Sequence, residues 1–186
     1  MKNQQNGNNS FLDPEHILHY AGVIVGQTVA DMGCGGGYFV FPAARMVGER
    51  GRVYGVDILK SALSSLASQA RMYGLSNVVP VWSDAEVKNG ARAIPNGTVD
   101  YTFLVQLFSQ TKDHASVLDE AARITKKDGH LVVVDWKSDK LAISPQKKYH
   151  VLPETIKHLA GQHGFKLAKE FSAGAYHYGL IFQKSK

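Results

Sequence analysis

The sequence predicts an α/β domain whose sheet is mostly parallel and closes with an antiparallel pair of strands. Three observations carry this. Seven short apolar or β-branched runs recur along the 186 residues, separated by stretches with helical spacing or turn chemistry. The fourth run, VDYTFLVQLF (99–108), is nearly all apolar, as a central parallel strand covered on both faces must be. The last two, FKLAKEF (165–171) and AYHYGLIFQK (175–184), are joined only by Ser172-Ala173-Gly174, too short for anything but antiparallel pairing.

Taken in order, residues 1–10 (MKNQQNGNNS) cannot bury apolar area and read as a disordered tail before a single domain, 11–186. FLDPEHILHYAG (11–22) reads as a short helix with Asp13 as N-cap, Pro14 at the first helical position and Gly22 at its end. His16 and His19 lie one turn apart on it. No carboxylate or third ligand accompanies them, so no metal site is expected. TVADM enters a glycine turn, and a helix follows from Tyr38 to Val47, with Pro42 in its first turns. RVYGVD (52–57) is the second strand, 60–73 an amphipathic helix closed by Gly74, and NVVPVW (77–82) the third strand. GARAIPNG (90–97) is turn-rich and leads into 99–108. A helix over 111–126, a turn at Asp128-Gly129 and a buried strand HLVVVDW (130–136) follow. Residues 137–152 are polar and lysine-rich and read as a loop, before a helix opened by Pro153-Glu154 that runs to Gly161–Gly164.

The chemistry concentrates at TVADMGCGGGYF (28–39), a strand, a glycine-dense turn and a helix N-terminus. Such a turn brings backbone close to a ligand, because glycine has no Cβ and tolerates positive φ. It is not the dinucleotide fingerprint G-x-G-x-x-G. Counted from Gly33, Gly35 or Gly37, the sixth position is Tyr38, Val40 or Pro42. That disfavours a nicotinamide oxidoreductase. A P-loop is excluded by the lack of Gly-Lys-Ser/Thr after the turn. The second strand ends in Asp57, where an acid about 20 residues on can accept from both ribose hydroxyls. The third is followed by Ser83-Asp84-Ala85. Three strand ends, each with an acid at or beside it, are more specific than the glycines alone.

The motif D-x-G-x-G-x-G, with these later acids, resembles the class I S-adenosylmethionine-dependent methyltransferases. The order of strands and helices resembles theirs over residues 13–184. The resemblance implies a Rossmann-like three-layer α/β/α domain with a seven-stranded sheet. It implies S-adenosylmethionine as cofactor, with S-adenosylhomocysteine as the product of transfer. Asp31, Gly33 and Gly35 would hold the methionine end, Asp57 the ribose and Ile58 an adenine face. Asp84 and Ala85 would meet the adenine edge, and Gln106 and Leu107 the floor beside the sulfonium. Taken alone, Asp31 could be a capping acid at a turn and Asp84 an Asx-turn. Cys34, the one cysteine, lies inside the turn and reads as packing rather than as a nucleophile.

The acceptor end is less defined. The site after the fourth strand reads QLFSQ instead of the Asn/Asp-Pro-Pro-aromatic motif of base-nitrogen methyltransferases. The closest likeness is to the small ubiquinone/menaquinone-biosynthesis-type (type 11) group, carried by VDYTFLVQLF, DEAARITKKDGHLVVVDWK and AYHYGLIFQK. A small-molecule acceptor follows from it. Candidate acceptor-side residues are Tyr20, Trp136, Tyr149, His150 and Tyr176. His16 is a further candidate for lining the pocket, and His177 is a candidate base.

Composition narrows the remaining classes. A 44% hydrophobic fraction suits a globular protein, and no apolar run approaches the ~20 residues of a membrane span. One cysteine and no visible secretory signal fit a cytoplasmic protein. The formal charge of +5 comes from the second half of the chain, with Lys137, Lys140, Lys147 and Lys148 clustered. A solvated face is the ordinary explanation. An RNA or protein methyltransferase holding an anionic partner there, or a non-catalytic cofactor-binding protein, stands as the alternative.

Overall fold

Asp13 opens the first helix, α1 (Pro14–Ala21): its carboxylate accepts from the His16 N–H at 3.0 Å, and Gly22 ends the helix. The computed structural model describes residues 12–137, 146 and 150–185, so the expected tail and most of the lysine-rich segment, including Lys140, Lys147, Lys148 and Tyr149, lie outside the described residues. After α1 come β1 (Thr28–Met32), α2 (Val40–Val47), β2 (Arg52–Asp57), α3 (Lys60–Met72), β3 (Val78–Trp82) and β4 (Val99–Val105). A 3-10 turn (Phe108–Gln110), α4 (His114–Ile124), β5 (Thr125–Trp136), α5 (Pro153–Gln162), β6 (Phe165–Ser172) and β7 (His177–Lys184) complete the order.

The sheet runs β3-β2-β1-β4-β5-β7-β6. Neighbours from β3 to β5 are parallel, and β7 is antiparallel to both β5 and β6. This is the expected mostly parallel sheet with its closing hairpin. The order reverses between β1 and β4, which opens a crevice at the carboxyl ends of those strands.

Side-chain alternation sends each strand into two separate cores. Met32, Val56, Leu104, Leu131 and Val133 pack with α4 and α5 through Val117, Leu118, Ile124 and Ile156. Val29, Val53, Phe103, Val132 and Val134 pack with α1, α2 and α3 through Ile17, Val40, Val47 and Leu66. The near-continuous apolar reading of β4 and β5 follows from burial on both faces.

Three element ends differ from the sequence reading. β4 stops at Val105 because Gln106 turns to φ 52°, although its N–H still donates to Val134 O at 2.7 Å. The helix expected from 111 begins at His114, since the Asp113 carboxylate accepts from the Ser116 N–H, and it ends at Ile124. β5 starts at Thr125, with Asp128 (φ 62°) looped out as pairing jumps from Val99↔Thr125 to Tyr101↔His130. The Asp128-Gly129 turn is thus an irregularity inside a strand.

A buried ion pair organises the turn-rich stretch before β4. The Glu120 carboxylate accepts from Asn89 and Ala91 N–H groups at 3.0 Å and from Arg123. Arg123 in turn donates to Ile94 O, Ala91 O and Asn96 Oδ1. Burial pushes the Glu120 carboxyl up, and these donors outweigh it and hold the group below its usual range.

Candidate active site

The glycine turn is pinned to β2 by two bonds: Gly33 and Cys34 N–H both donate to Val56 O, at 2.8 and 3.0 Å. Gly33 and Gly35 have φ of 79° and 50°, the left-handed region where side chains are strained. At Gly33 a Cβ would also come 2.8 Å from Leu107 Cδ1, whereas at Gly35 it would meet open space. Glycine at 35 therefore leaves the turn bare toward the crevice.

The Asp57 carboxylate spans that turn and the entry to α3. Oδ2 accepts from the Gly35 N–H and Oδ1 from the Leu59 N–H, each at 2.8 Å. Two of its roughly four lone-pair sites remain for a ligand. Ile58, more than half exposed, presents an apolar side chain beside it, and its carbonyl accepts from Trp82 Nε1 at 2.9 Å. Asp84 Oδ1 accepts from the Glu86 N–H at 2.9 Å, the Asx-turn that the sequence also allowed.

These groups line one cavity of about 350 Å³, which contains Gly33, Gly35, Asp57, Ile58, Asp84, Ala85 and Leu107. The size suits a small-molecule ligand. Val56, Leu59, Ser83, Glu86, Gln110 and Thr111 line it too and were not singled out from the sequence. Ser83 could have been found, as the residue between the third strand and Asp84. Gln110 and Thr111 come from the β4–α4 connection, whose path no local pattern encodes. A groove of about 550 Å³ lies on the outer side of the turn, against α1, Tyr38, Arg45 and Tyr73. It contains none of the strand-end acids.

Asp31 sits beneath the turn, almost without exposure, with no hydrogen-bond partner at Oδ1. Burial, and then the nearby Asp57 charge, push its carboxyl up to about 7. An orphaned buried acid next to an open cavity is what an incoming cationic group would satisfy. Burial, Asp31 and Asp57 also drive the Cys34 thiol far above its ordinary value, which removes it as a nucleophile.

At the end of β4, Leu107 reaches the cavity, whereas the Gln106 side chain turns toward β7. Gln106 Nε2 lies 2.8 Å from His177 Nε2, and the Trp136 and His177 rings stand 4.2 Å apart. His177 has no exposed surface. A general base has to reach the proton it takes. His177 thus packs against Gln106 and does not line the 350 Å³ cavity. Tyr20 lies against Phe171 at 4.9 Å and beneath Lys169, with His16 beside it, so neither lines the 350 Å³ cavity. Tyr176 is half-buried at the hairpin end, where its carbonyl accepts from the Lys137 N–H at 2.9 Å. The Lys137 ammonium bonds Ser172 Oγ and Gly174 O.

His150 lines a second cavity, of about 410 Å³, between the β4–α4 connection and the start of α5. Thr111 belongs to both cavities. Behind the second one is Asp135, fully buried, whose Oδ1 accepts from the Trp136 N–H at 2.7 Å and whose Oδ2 makes no hydrogen bond. Burial raises its carboxyl to about 6. The N–H groups of Trp136, Ser109 and Phe108 and the charge of His150 pull the other way.

Among the described residues, no group of three or more His, Cys, Asp or Glu could hold a metal ion, and no helix is long and apolar enough to cross a membrane.

With this geometry established, the likenesses to known proteins gain meaning. A family model described as a methyltransferase domain matches residues 25–173. An aklanonic acid methyltransferase (DauC) of Streptomyces sp. (strain C5) is 34% identical over 104 residues, 54% of this chain and 47% of the relative. A ubiquinone/menaquinone biosynthesis C-methyltransferase (UbiE) of Enterobacter sp. (strain 638) is 33% identical over 140 residues, covering 72% of this chain and 53% of the relative. The chain thus spans about half the length of these curated relatives. The crystal structure of a SAM-dependent methyltransferase from Aquifex aeolicus superposes with a TM-score of 0.84 at 25% identity, over 93% of this chain and 90% of that one.

Proposed function

The chain belongs to the class I S-adenosylmethionine-dependent methyltransferases, and from that membership we propose that it transfers a methyl group to a small-molecule acceptor. The observation that carries this is convergence: a bare glycine turn, Asp57, Ile58 and Asp84, from three strand ends, line one 350 Å³ cavity at the sheet's switch point. The residues fit the cofactor's chemistry. Asp57 keeps lone pairs for ribose hydroxyls, Ile58 offers a flat apolar contact for adenine, and Asp84 and Ala85 meet its edge. Asp31 is the buried acid for the cationic amino-acid end.

The cofactor supplies a methyl group on a cationic sulfur, activated before it reaches the protein. The protein's work is therefore positioning and exclusion of water. The Asp57 bracket between Gly35 and Leu59 keeps the turn rigid, so ligand contacts need little ordering at binding. Leu107 lines the floor of the cavity, and Gln106 before it is held by His177. Aklanonic acid, and the ubiquinone and menaquinone whose biosynthesis the second relative's name gives, are small molecules, which supports a small acceptor here. No described feature favours RNA or protein as acceptor.

The test is a thermal-shift series followed by an acceptor panel. S-adenosylmethionine and S-adenosylhomocysteine should raise the melting temperature and NAD should not, and methyl transfer should appear with small molecules. Cofactor binding with no turnover across a broad panel would instead indicate a sensor or structural protein. Methylation of RNA alone would replace the small-molecule acceptor.

A further inference from the structure

The strand order leaves a gap that the sheet itself cannot bridge. β3 and β4 are separated by β2 and β1, so no ladder bond joins the segment after β3 to the segment after β4. Both segments nevertheless line the 350 Å³ cavity: Ser83, Asp84, Ala85 and Glu86 from the first, Leu107, Gln110 and Thr111 from the second. Side chains have to fix their separation.

Neighbouring strand ends are tied pairwise. Asp57 joins the end of β2 to the glycine turn after β1, and Trp82 Nε1, on β3, donates to Ile58 O, just after β2. Across the gap, Glu86 Oε1 accepts from the backbone N–H groups of Lys112 and Asp113, at 2.7 and 2.5 Å. The Glu86 N–H in turn donates to Asp84 Oδ1. One residue thus links the Asp84 turn to the chain directly after Thr111. Among the described residues, no other hydrogen bond joins 83–88 to 106–113. Glu120 and Arg123 hold the same connection only from Asn89 onward.

We propose that Glu86 is a positioning residue for the cofactor, whose carboxylate fixes the separation of the two walls at the adenine end of the cavity. This rests on the proposed placement of the cofactor there and names a further residue that sets its fit. A carboxylate accepting from two backbone N–H groups makes charge-assisted bonds, stronger than neutral ones. The two donors stand at the entry to α4, where the helix dipole also favours an anion. Glu86 is only half-exposed, which limits competition from water.

The consequence is preorganisation. A flat base gains most from a slot whose walls are already in place, because binding then spends little on ordering them. Without the Glu86 carboxylate the Asp84 turn remains, since it uses the Glu86 backbone, but the two walls are released from each other. The cofactor would then have to order both as it binds.

The test uses the full chain and S-adenosylhomocysteine. Glu86→Ala should weaken binding about tenfold or more in isothermal titration, mainly through faster dissociation. Its urea midpoint without ligand should stay close to the parent's, because Lys112 and Asp113 are exposed and water can accept from their freed N–H groups. Glu86→Gln keeps an oxygen for both N–H groups and should bind within about threefold of the parent. Amide hydrogen exchange at Lys112 and Asp113 should be slow in the parent and in Glu86→Gln, and fast in Glu86→Ala. With ¹³C-labelled S-adenosylhomocysteine at saturation, Glu86→Ala should move the adenine signals more than those of the homocysteine chain. Parent-like binding by Glu86→Ala, a Glu86→Gln variant as weak as the alanine one, or signal changes confined to the homocysteine chain would overturn the proposal. Failure of the parent itself to bind S-adenosylhomocysteine would instead remove the methyltransferase reading.

Discussion

Asp57 accepts a 2.8 Å hydrogen bond from the backbone N–H of Gly35, 22 residues earlier in the chain. The bond makes the glycine turn and the end of β2 one rigid unit. It gives Asp57 the task of shaping the turn, alongside the proposed one of meeting the cofactor's sugar.

Asp57→Ala should therefore fail twice. Two N–H groups, of Gly35 and Leu59, lose their acceptor, which costs about 1–3 kcal/mol. For a chain of this size that lowers the unliganded melting temperature by roughly 2–4 °C per kcal/mol. The cofactor-induced shift should vanish as well. Differential scanning calorimetry with and without S-adenosylmethionine separates the two losses. A lower baseline with an intact shift would leave Asp57 a purely structural residue.

Gly33→Ala and Gly35→Ala should differ. Both force a side chain into left-handed backbone, at about 1–2 kcal/mol. Only at Gly33 does the new Cβ also meet Leu107 Cδ1, at 2.8 Å. Gly35→Ala should keep a folded, mildly weakened protein that no longer admits the cofactor, because its Cβ points into open space. Gly33→Ala should be the less stable of the two in urea unfolding.

The titration of Asp31 carries a sign that can be checked. Its folded value is raised to about 7, against an ordinary value near 4. Between those limits the folded state holds a proton that the unfolded state has released. Stability should therefore fall as pH rises from about 4 to about 7, by up to ~1.4 kcal/mol per pH unit from this group. Asp135, raised to about 6, adds in the same direction over the lower part of that window. Asp31→Asn should flatten the slope near pH 6–7. Cofactor binding near pH 6 should release protons as the cationic amino-acid end ionises Asp31, measured by calorimetry in buffers of different ionisation heat.

Much of this was legible in the sequence, for reasons visible residue by residue. Asp13-Pro14 and Gly22 state the ends of α1 locally, and Ser172-Ala173-Gly174 can only join antiparallel strands. Asp57 and Asp84 could be placed because a strand end aims whatever follows it toward the crevice. His177 and Tyr20 were not legible. Their partners, Gln106 and Phe171, are 71 and 151 residues away in the chain, and only the β5–β7–β6 pairing decides who meets whom. The positive φ of Gln106 hid as well, because a non-glycine residue announces no turn.

Glu120→Ala tests the support beneath the site. It strips Arg123 of its carboxylate partner and frees the Asn89 and Ala91 N–H groups. Breaking a buried pair costs about 3–5 kcal/mol, and the low end applies because the Arg123 side chain keeps 14% exposure. Urea unfolding should show this loss, with cofactor affinity changed far less than in Asp57→Ala.

The central claim is that the cavity formed by the glycine turn, Asp57 and Asp84 takes an adenosyl sulfonium. Isothermal titration of the purified chain tests it most directly. The expected result is saturable one-to-one heat with S-adenosylmethionine, lost in Asp57→Ala, and none with NAD. Heat with NAD and none with S-adenosylmethionine would contradict it.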